Sequence, residues 1–129
     1  MLLLDTHVWV WSVHNDARLS RVHRNLLEQS DASDIGVSAI SCWEITKLVS
    51  QRRLTLHRPM AKWFEDSLGS SGIRLFPLSP QIAIEANHLP GEFHRDPADC
   101  IIVASARIHG ATLLTVDGRI LSYPHVNTI

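Results

Sequence analysis

Leu2-Leu-Leu-Asp5, and far downstream Leu113-Leu-Thr-Val-Asp117, decide how this chain folds. Each is a run of large aliphatic residues closed by an acid and too short to sustain a helix, the pattern of a strand buried on both faces. Working outward, residues 1–5 and Ala111 to Val116 are read as two such strands. Ile35 to Ala39 and Ile73 to Phe76 supply two more, and Val126 to Ile129 a last short one.

The segments between them carry helical signals. Val8, Trp9 and Trp11 continue from the first strand into a short helix. Arg18 to Gln29 places Leu19, Val22, Leu26 and Leu27 on one side and Arg18, Arg21 and Arg24 on another. Ser41-Cys-Trp-Glu44 has the form of a capping box, predicting a helix from Cys42 to about Arg53. Pro59 can open a helix through Trp63 and Leu68 to Gly69, and Pro80 to His88 reads as another. Asp96-Pro-Ala-Asp99 then opens an apolar helix that stops at Gly110. Short apolar strands alternating with helices predict an α/β sandwich with a central, mainly parallel β-sheet flanked by helices.

With 129 residues the chain fits a single domain, residues 1–129, and 45% hydrophobic against 19% charged residues excludes wholesale disorder. The first residues have no basic lead and reach an acid at Asp5, so the expectation is a cytoplasmic protein with no secretion signal and no membrane anchor. Cys42 and Cys100 are far apart and form neither a disulfide framework nor a zinc knuckle. A net charge of −1 excludes binding of nucleic acid by bulk positive charge alone. The charge is unevenly spread. Residues 1–64 hold eight Lys or Arg against six Asp or Glu, residues 65–129 four against seven, so a basic face and an acidic site can coexist.

Placing the acids on this reading gives the main clue. Asp5 and Asp117 end strands, whereas Glu44 and Asp99 lie in the first turns of helices. In an open parallel sheet the carboxyl ends of strands and the N-termini of the helices between them share one edge, where ligands bind. Singly, each acid has a structural explanation as a cap or turn residue. Jointly, two unit charges about 5 Å apart repel by roughly 3 kcal/mol at an effective dielectric near 20, and six such pairs by roughly 10 to 20 kcal/mol before relaxation. A divalent cation is the usual relief, and all-oxygen ligands favour Mg²⁺ or Mn²⁺.

Leu3-Leu-Asp5-Thr-His7, Ser38-Ala-Ile-Ser-x-Trp43-Glu44-Ile, His94-Arg-Asp-Pro-x-Asp99-x-x-Ile102 and Leu113-Leu-Thr-x-Asp117 resemble the successive motifs of PIN-domain ribonucleases, in particular the VapC-like toxins of toxin-antitoxin modules. The resemblance spans nearly the whole chain. It implies a PIN-like sandwich, a Mg²⁺ or Mn²⁺ site, endonucleolytic cleavage of RNA, a homodimer, and inhibition by a cognate antitoxin. Carried over residue by residue, it implies the catalytic acids Asp5, Glu44, Asp99 and Asp117, with Asp5, Asp99 and Asp117 as metal ligands. Asp96, Thr115, Thr6 and Lys47 are their expected neighbours. In the Arg-Asp-Pro-x-Asp segment, Asp96 is placed as the cap of the helix that Pro97 opens, and Asp99 as the site acid.

Other residues are weighed against this frame. The eight histidines include no H-x-x-x-H pair and no H-E-x-x-H, which argues against zinc, and His7 and His94 are placed at the rim of the site. Arg18, Arg21, Arg24, Lys47, Arg52, Arg53, Arg58 and Lys62 are candidates for steering a phosphate backbone, with solvated helix faces as the alternative. Trp9 and Trp43 are assigned to the core, Trp11 and Trp63 to a partner surface. Two other function classes compete. A Mg²⁺-dependent phosphatase or phospho-acceptor domain also puts Asp at a strand end, but His7 stands where the phosphatase pattern has a second Asp, and no acidic pair occurs early in the chain. A catalytically inactive RNA-binding PIN module would have lost acids that this chain keeps.

Overall fold

The computed structural model covers residues 1–129. Strand β1, Leu2–Leu4, lies between β2, Ile35–Ser38, and β4, Thr112–Leu114; β3, Arg74–Phe76, pairs with the outer side of β2. All pairings are parallel, in the spatial order β3-β2-β1-β4, with Leu4 opposite both Val37 and Leu114. Successive side chains of a strand point to opposite faces. Leu4, Val37 and Leu114 enter one core, with Val8 and Trp9 of α1 (Thr6–His14), Ile45 of α3 (Ala39–Ser50) and Trp63 of α4 (Met60–Phe64). Leu3 and Leu113 enter the other, against Ile102, Val103 and Ala106 of α6 (Pro97–Ile108) and Ile120 of α7 (Gly118–Leu121). Helix α2, Arg21–Gln29, and helix α5, Pro80–Ala86, complete the set.

This strand order positions the site. The chain steps outward from β1 to β2 to β3, then returns through α5 and α6 to place β4 on the other side of β1. The reversal opens a crevice at the carboxyl ends of β1 and β4. Helices that link parallel strands run back against them, so the N-termini of α1, α3 and α6 arrive at the same edge.

The elements differ from the sequence reading in detail. Helix α3 follows β2 directly, with Ser38 as its cap accepting from the Ile40 N–H, so Ser41 and Glu44 sit within the helix and form no capping box. Helix α2 starts at Arg21 under a Ser20 cap, and Pro59 stands just before α4, which runs on into a π-helical segment, Glu65–Ser70. The last segment makes a single parallel bridge, Leu113 to Thr128, rather than a full strand. Two tryptophans exchange roles. Trp63 is fully buried, edge-on to Trp9 with ring centroids 5.1 Å apart, whereas Trp43 is 55% exposed. No helix is long and apolar enough to cross a membrane.

Candidate active site

An open cleft of about 780 Å³ at the carboxyl edge of the sheet is lined by Asp5, Glu44, Asp96, Asp99 and Asp117, with Thr6, Trp43, Lys47 and Arg119 around them. The sequence thus predicted correctly that acids distant along the chain share one edge. Each is held there by its own local structure.

Asp5 caps α1 and is buried: its Oδ1 accepts from the Thr6 N–H at 2.8 Å, and its Oδ2 accepts from the Thr115 hydroxyl at 2.6 Å. Thr115 in turn accepts from the Asp117 N–H at 3.0 Å, tying the end of β1 to the end of β4. Both oxygens of Asp5 are fixed, and each keeps lone-pair capacity toward the cleft.

Glu44 projects from the second turn of α3, not the first turn expected from the sequence, to meet Thr6. The Thr6 hydroxyl lies 2.6 Å from Glu44 Oε1 and 2.8 Å from Ser41 Oγ. It has one proton, so it donates to the carboxylate and accepts from Ser41. Burial pushes the Glu44 carboxyl above the ordinary carboxylate value; the Thr6 hydrogen bond opposes this, and the charges of Asp5, Asp99 and Asp96 reinforce it.

At the start of α6 the two acids have different surroundings. Asp96 Oδ1 accepts from the N–H groups of Ala98 and Asp99, at 3.0 and 3.3 Å, and so is the helix cap that the sequence places there. Asp99 is turned into the cleft, where its Oδ2 accepts from His94 Nε2 at 2.7 Å and from Arg119 Nη2 at 3.4 Å. Burial raises the Asp99 carboxyl above its ordinary value; the His94 hydrogen bond opposes this, and Asp96, Asp5 and Asp117 add to the rise. Asp117 caps α7. Desolvation would raise it as well, but hydrogen bonds from the Arg119 side chain and from the backbone N–H groups of Arg119 and Ile120 outweigh that, so it lies below the ordinary value.

Sequence reasoning missed Arg119, whose guanidinium reaches Asp99 and Asp117 at once, and it placed His94 only at the rim. The signal for His94 was its position in the motif around Asp99; Arg119, two residues beyond Asp117, carried none. Among the basic candidates, Arg18 pairs with Asp16, and Arg58 and Lys62 pair with Asp66, away from the cleft. Lys47 makes no ion pair and lies over the Trp43 ring.

As the side chains stand, no three of His, Cys, Asp or Glu close into a group able to hold an ion. The expected ligands Asp5, Asp99 and Asp117 share the cleft without meeting at one point, and Arg119 bridges the latter two. Their chemistry nonetheless fits a hard divalent cation. The donors are all oxygen, two of the cleft's acids are raised by burial and mutual repulsion, and a cationic group already sits between two of them.

Comparison with known proteins agrees with this geometry. Residues 2–126 match the PIN domain model. The chain is 36% identical to Ribonuclease VapC22 of Mycobacterium tuberculosis over 124 residues, which are 96% of this chain and 92% of that protein. Its fold is similar to that in a toxin-antitoxin complex from Klebsiella pneumoniae, with a TM-score of 0.68 at 18% identity, covering 100% of this chain and 96% of the other. It is also similar to a chain of VapBC2 from Rickettsia felis bound to a promoter DNA fragment, with a TM-score of 0.68 at 19% identity and coverage of 99% and 96%. A four-stranded parallel sheet with acids gathered at its carboxyl edge, together with a match over almost the full length, means that the chain belongs to the PIN-domain family.

Proposed function

We propose that the chain is an endoribonuclease of the VapC kind, the toxin of a toxin-antitoxin pair, and that it hydrolyses RNA phosphodiesters with a divalent cation, Mg²⁺ or Mn²⁺, held by Asp5, Asp99 and Asp117. The single observation that carries this reading is the convergence of Asp5, Glu44, Asp99 and Asp117 on one cleft, in a chain with 36% identity to a ribonuclease.

The chain's own groups divide the work. Glu44 is held through one oxygen by Thr6, and no protein group donates to its Oε2, which is left to take the proton of an attacking water. Its raised pKa makes it a stronger base than an ordinary carboxylate. Asp5 is fixed by Thr6 and Thr115, and Asp99 is oriented by His94. When bound, the cation supplies charge neutralisation at the scissile phosphate and activation of water. Water is the nucleophile, so the products carry no cyclic phosphate.

The phospho-acceptor alternative fits less well. His7 rather than a second Asp stands two residues after Asp5, and the 36% identity is to a ribonuclease. The homodimer and the antitoxin belong to the same proposal. Exposed Leu75, Leu78 and Ile84, on and near β3 and α5, offer apolar surface to a second copy, and an antitoxin Arg or Lys would relieve the same repulsion as a metal.

The test is incubation of the purified protein with a mixed RNA pool in Mg²⁺, Mn²⁺ or EDTA, followed by mapping of the cleaved ends. Cleavage with metal and none in EDTA or with Asp99→Asn is expected; metal-independent cleavage, or none at all, overturns the reading.

A further inference from the structure

Trp43 stands out among the four tryptophans. Trp9 and Trp63 are fully buried, and Trp11 is half-buried beneath the Arg18 guanidinium. Trp43 is 55% exposed and belongs to neither core. It directly precedes Glu44 on α3 and lines the same cleft as the acids. Lys47, one helical turn further on, places its ammonium 4.9 Å from the centre of the ring, a cation–π contact. Lys47 and Arg53 line this cleft of carboxylates, yet neither forms an ion pair with any of them. The cleft therefore has an acidic floor and, along α3, a lip that combines an open aromatic face with uncompensated positive charge.

We propose that Trp43 and Lys47 form a stacking subsite for one unpaired nucleobase of the RNA, next to the phosphate that lies over the acids. The inference rests on the ribonuclease reading and adds to it the two residues that hold one base of the substrate. Lys47 covers one face of the indole, and the base takes the other; the ammonium is then placed to meet the adjoining phosphate. An indole face accepts any base, since every base has a π-face, so the subsite selects single-stranded RNA over duplex without selecting a sequence. A duplex keeps its bases stacked on one another and cannot offer one to the ring. The acidic floor repels a phosphate backbone, and the lip supplies attraction where the floor has none.

The test uses one short single-stranded RNA cut by the wild-type protein, and a series in which each nucleotide in turn is replaced by an abasic ribose. kcat and KM are measured for wild type, Trp43→Ala, Trp43→Phe and Lys47→Ala, each checked by thermal melting. With wild type, one abasic position beside the cut lowers kcat/KM by roughly tenfold, the scale of a single base–aromatic stack. Trp43→Ala lowers kcat/KM on intact RNA by a similar factor and is indifferent to the abasic site at that position, while Trp43→Phe restores most of the difference. Lys47→Ala raises KM and weakens the salt dependence.

The inference is overturned if the abasic penalty persists in Trp43→Ala, or if that variant cleaves intact RNA like wild type. It is overturned equally if the variant keeps cleavage but loses the antitoxin, which would assign the ring to a protein surface. If Trp43→Ala does not fold, the comparison rests on Trp43→Phe and on the wild-type scan, where the absence of any sensitive position overturns the subsite. Wild-type protein that cuts no RNA with either metal refutes the ribonuclease reading itself; wild-type protein that cuts every abasic substrate equally refutes only the subsite.

Discussion

Arg119 Nη2 lies 3.4 Å from Asp99 Oδ2 and 3.4 Å from Asp117 Oδ2, so one guanidinium bridges two acids that come from different helix ends. It offsets the repulsion between them, and on the proposed reading it would compete with a cation for the same oxygens. Its side chain is 59% exposed, so it can swing clear into solvent.

Replacing Arg119 with Ala should therefore tighten metal binding. In a Mn²⁺ titration followed by thermal melting, the variant should reach half its full stabilisation at a lower concentration than wild type, while melting lower in EDTA at neutral pH. Unchanged or weaker binding would show that Arg119 is not a competitor for the site.

The raised carboxyls fix the sign of a pH dependence. Glu44 and Asp99 have folded-state pKa values above their ordinary ones. Their contribution to stability is fully present below the unfolded-state pKa and is lost as pH rises through the folded one. Asp117, and the exposed Asp16 held down to about 2 by Arg18, act in the opposite sense and lose their contribution as pH falls. Glu44→Gln isolates the first effect, because its amide oxygen still accepts from Thr6. In EDTA it should melt higher than wild type at pH 7.5, and the advantage should vanish near pH 4, below the ordinary glutamate value. A variant that melts lower at pH 7.5 would mean that Glu44 is not destabilised by its surroundings.

Asp96 and Asp99 are separable by the same kind of measurement. Asp96→Asn should retain the cap and measurable cleavage, whereas Asp96→Ala should cost about 0.5–2 kcal/mol of stability. Asp99→Asn should remove nearly all cleavage while the protein stays folded. An Asp96→Asn protein as inactive as Asp99→Asn would place Asp96 in the site in its own right.

The residues that were legible in the sequence and those that were not differ for physical reasons. The strands and their closing acids were readable because a buried parallel strand is a continuous aliphatic run, and its carboxyl end is fixed by chain direction. The α3 boundary was misplaced because Ser38 and Ser41 are equally good caps in isolation, and only the direct junction with β2 selects Ser38. Trp43 was read by its size rather than by its angle on the helix. Ser41 and Ile45 are the buried residues of α3, four apart on one row, and position 43 lies on the opposite side. Trp63 is buried for a tertiary reason: it packs on Trp9, and its Nε1 donates to His14 Nε2 at 2.8 Å. Arg119 was not legible at all, because its pairing with Asp99 depends on bringing α6 and α7 together.

Replacing Thr6 with Val tests the link between geometry and chemistry most directly. Val matches Thr in shape but lacks the hydroxyl that donates to Glu44 and accepts from fully buried Ser41. Losing the donor removes a contribution that lowers the Glu44 pKa, so that pKa should rise further. A general base works only when ionised, so the acid limb of the pH profile for kcat should move to higher pH, and cleavage at pH 6 should suffer more than at pH 8.5. Ser41 loses its partner, at a cost of about 1–3 kcal/mol in stability. Thr6→Ser keeps the hydroxyl and should keep the wild-type profile. If Thr6→Val lowers activity equally at every pH, Thr6 only supports the fold at this point and Glu44 is not the group that takes the proton.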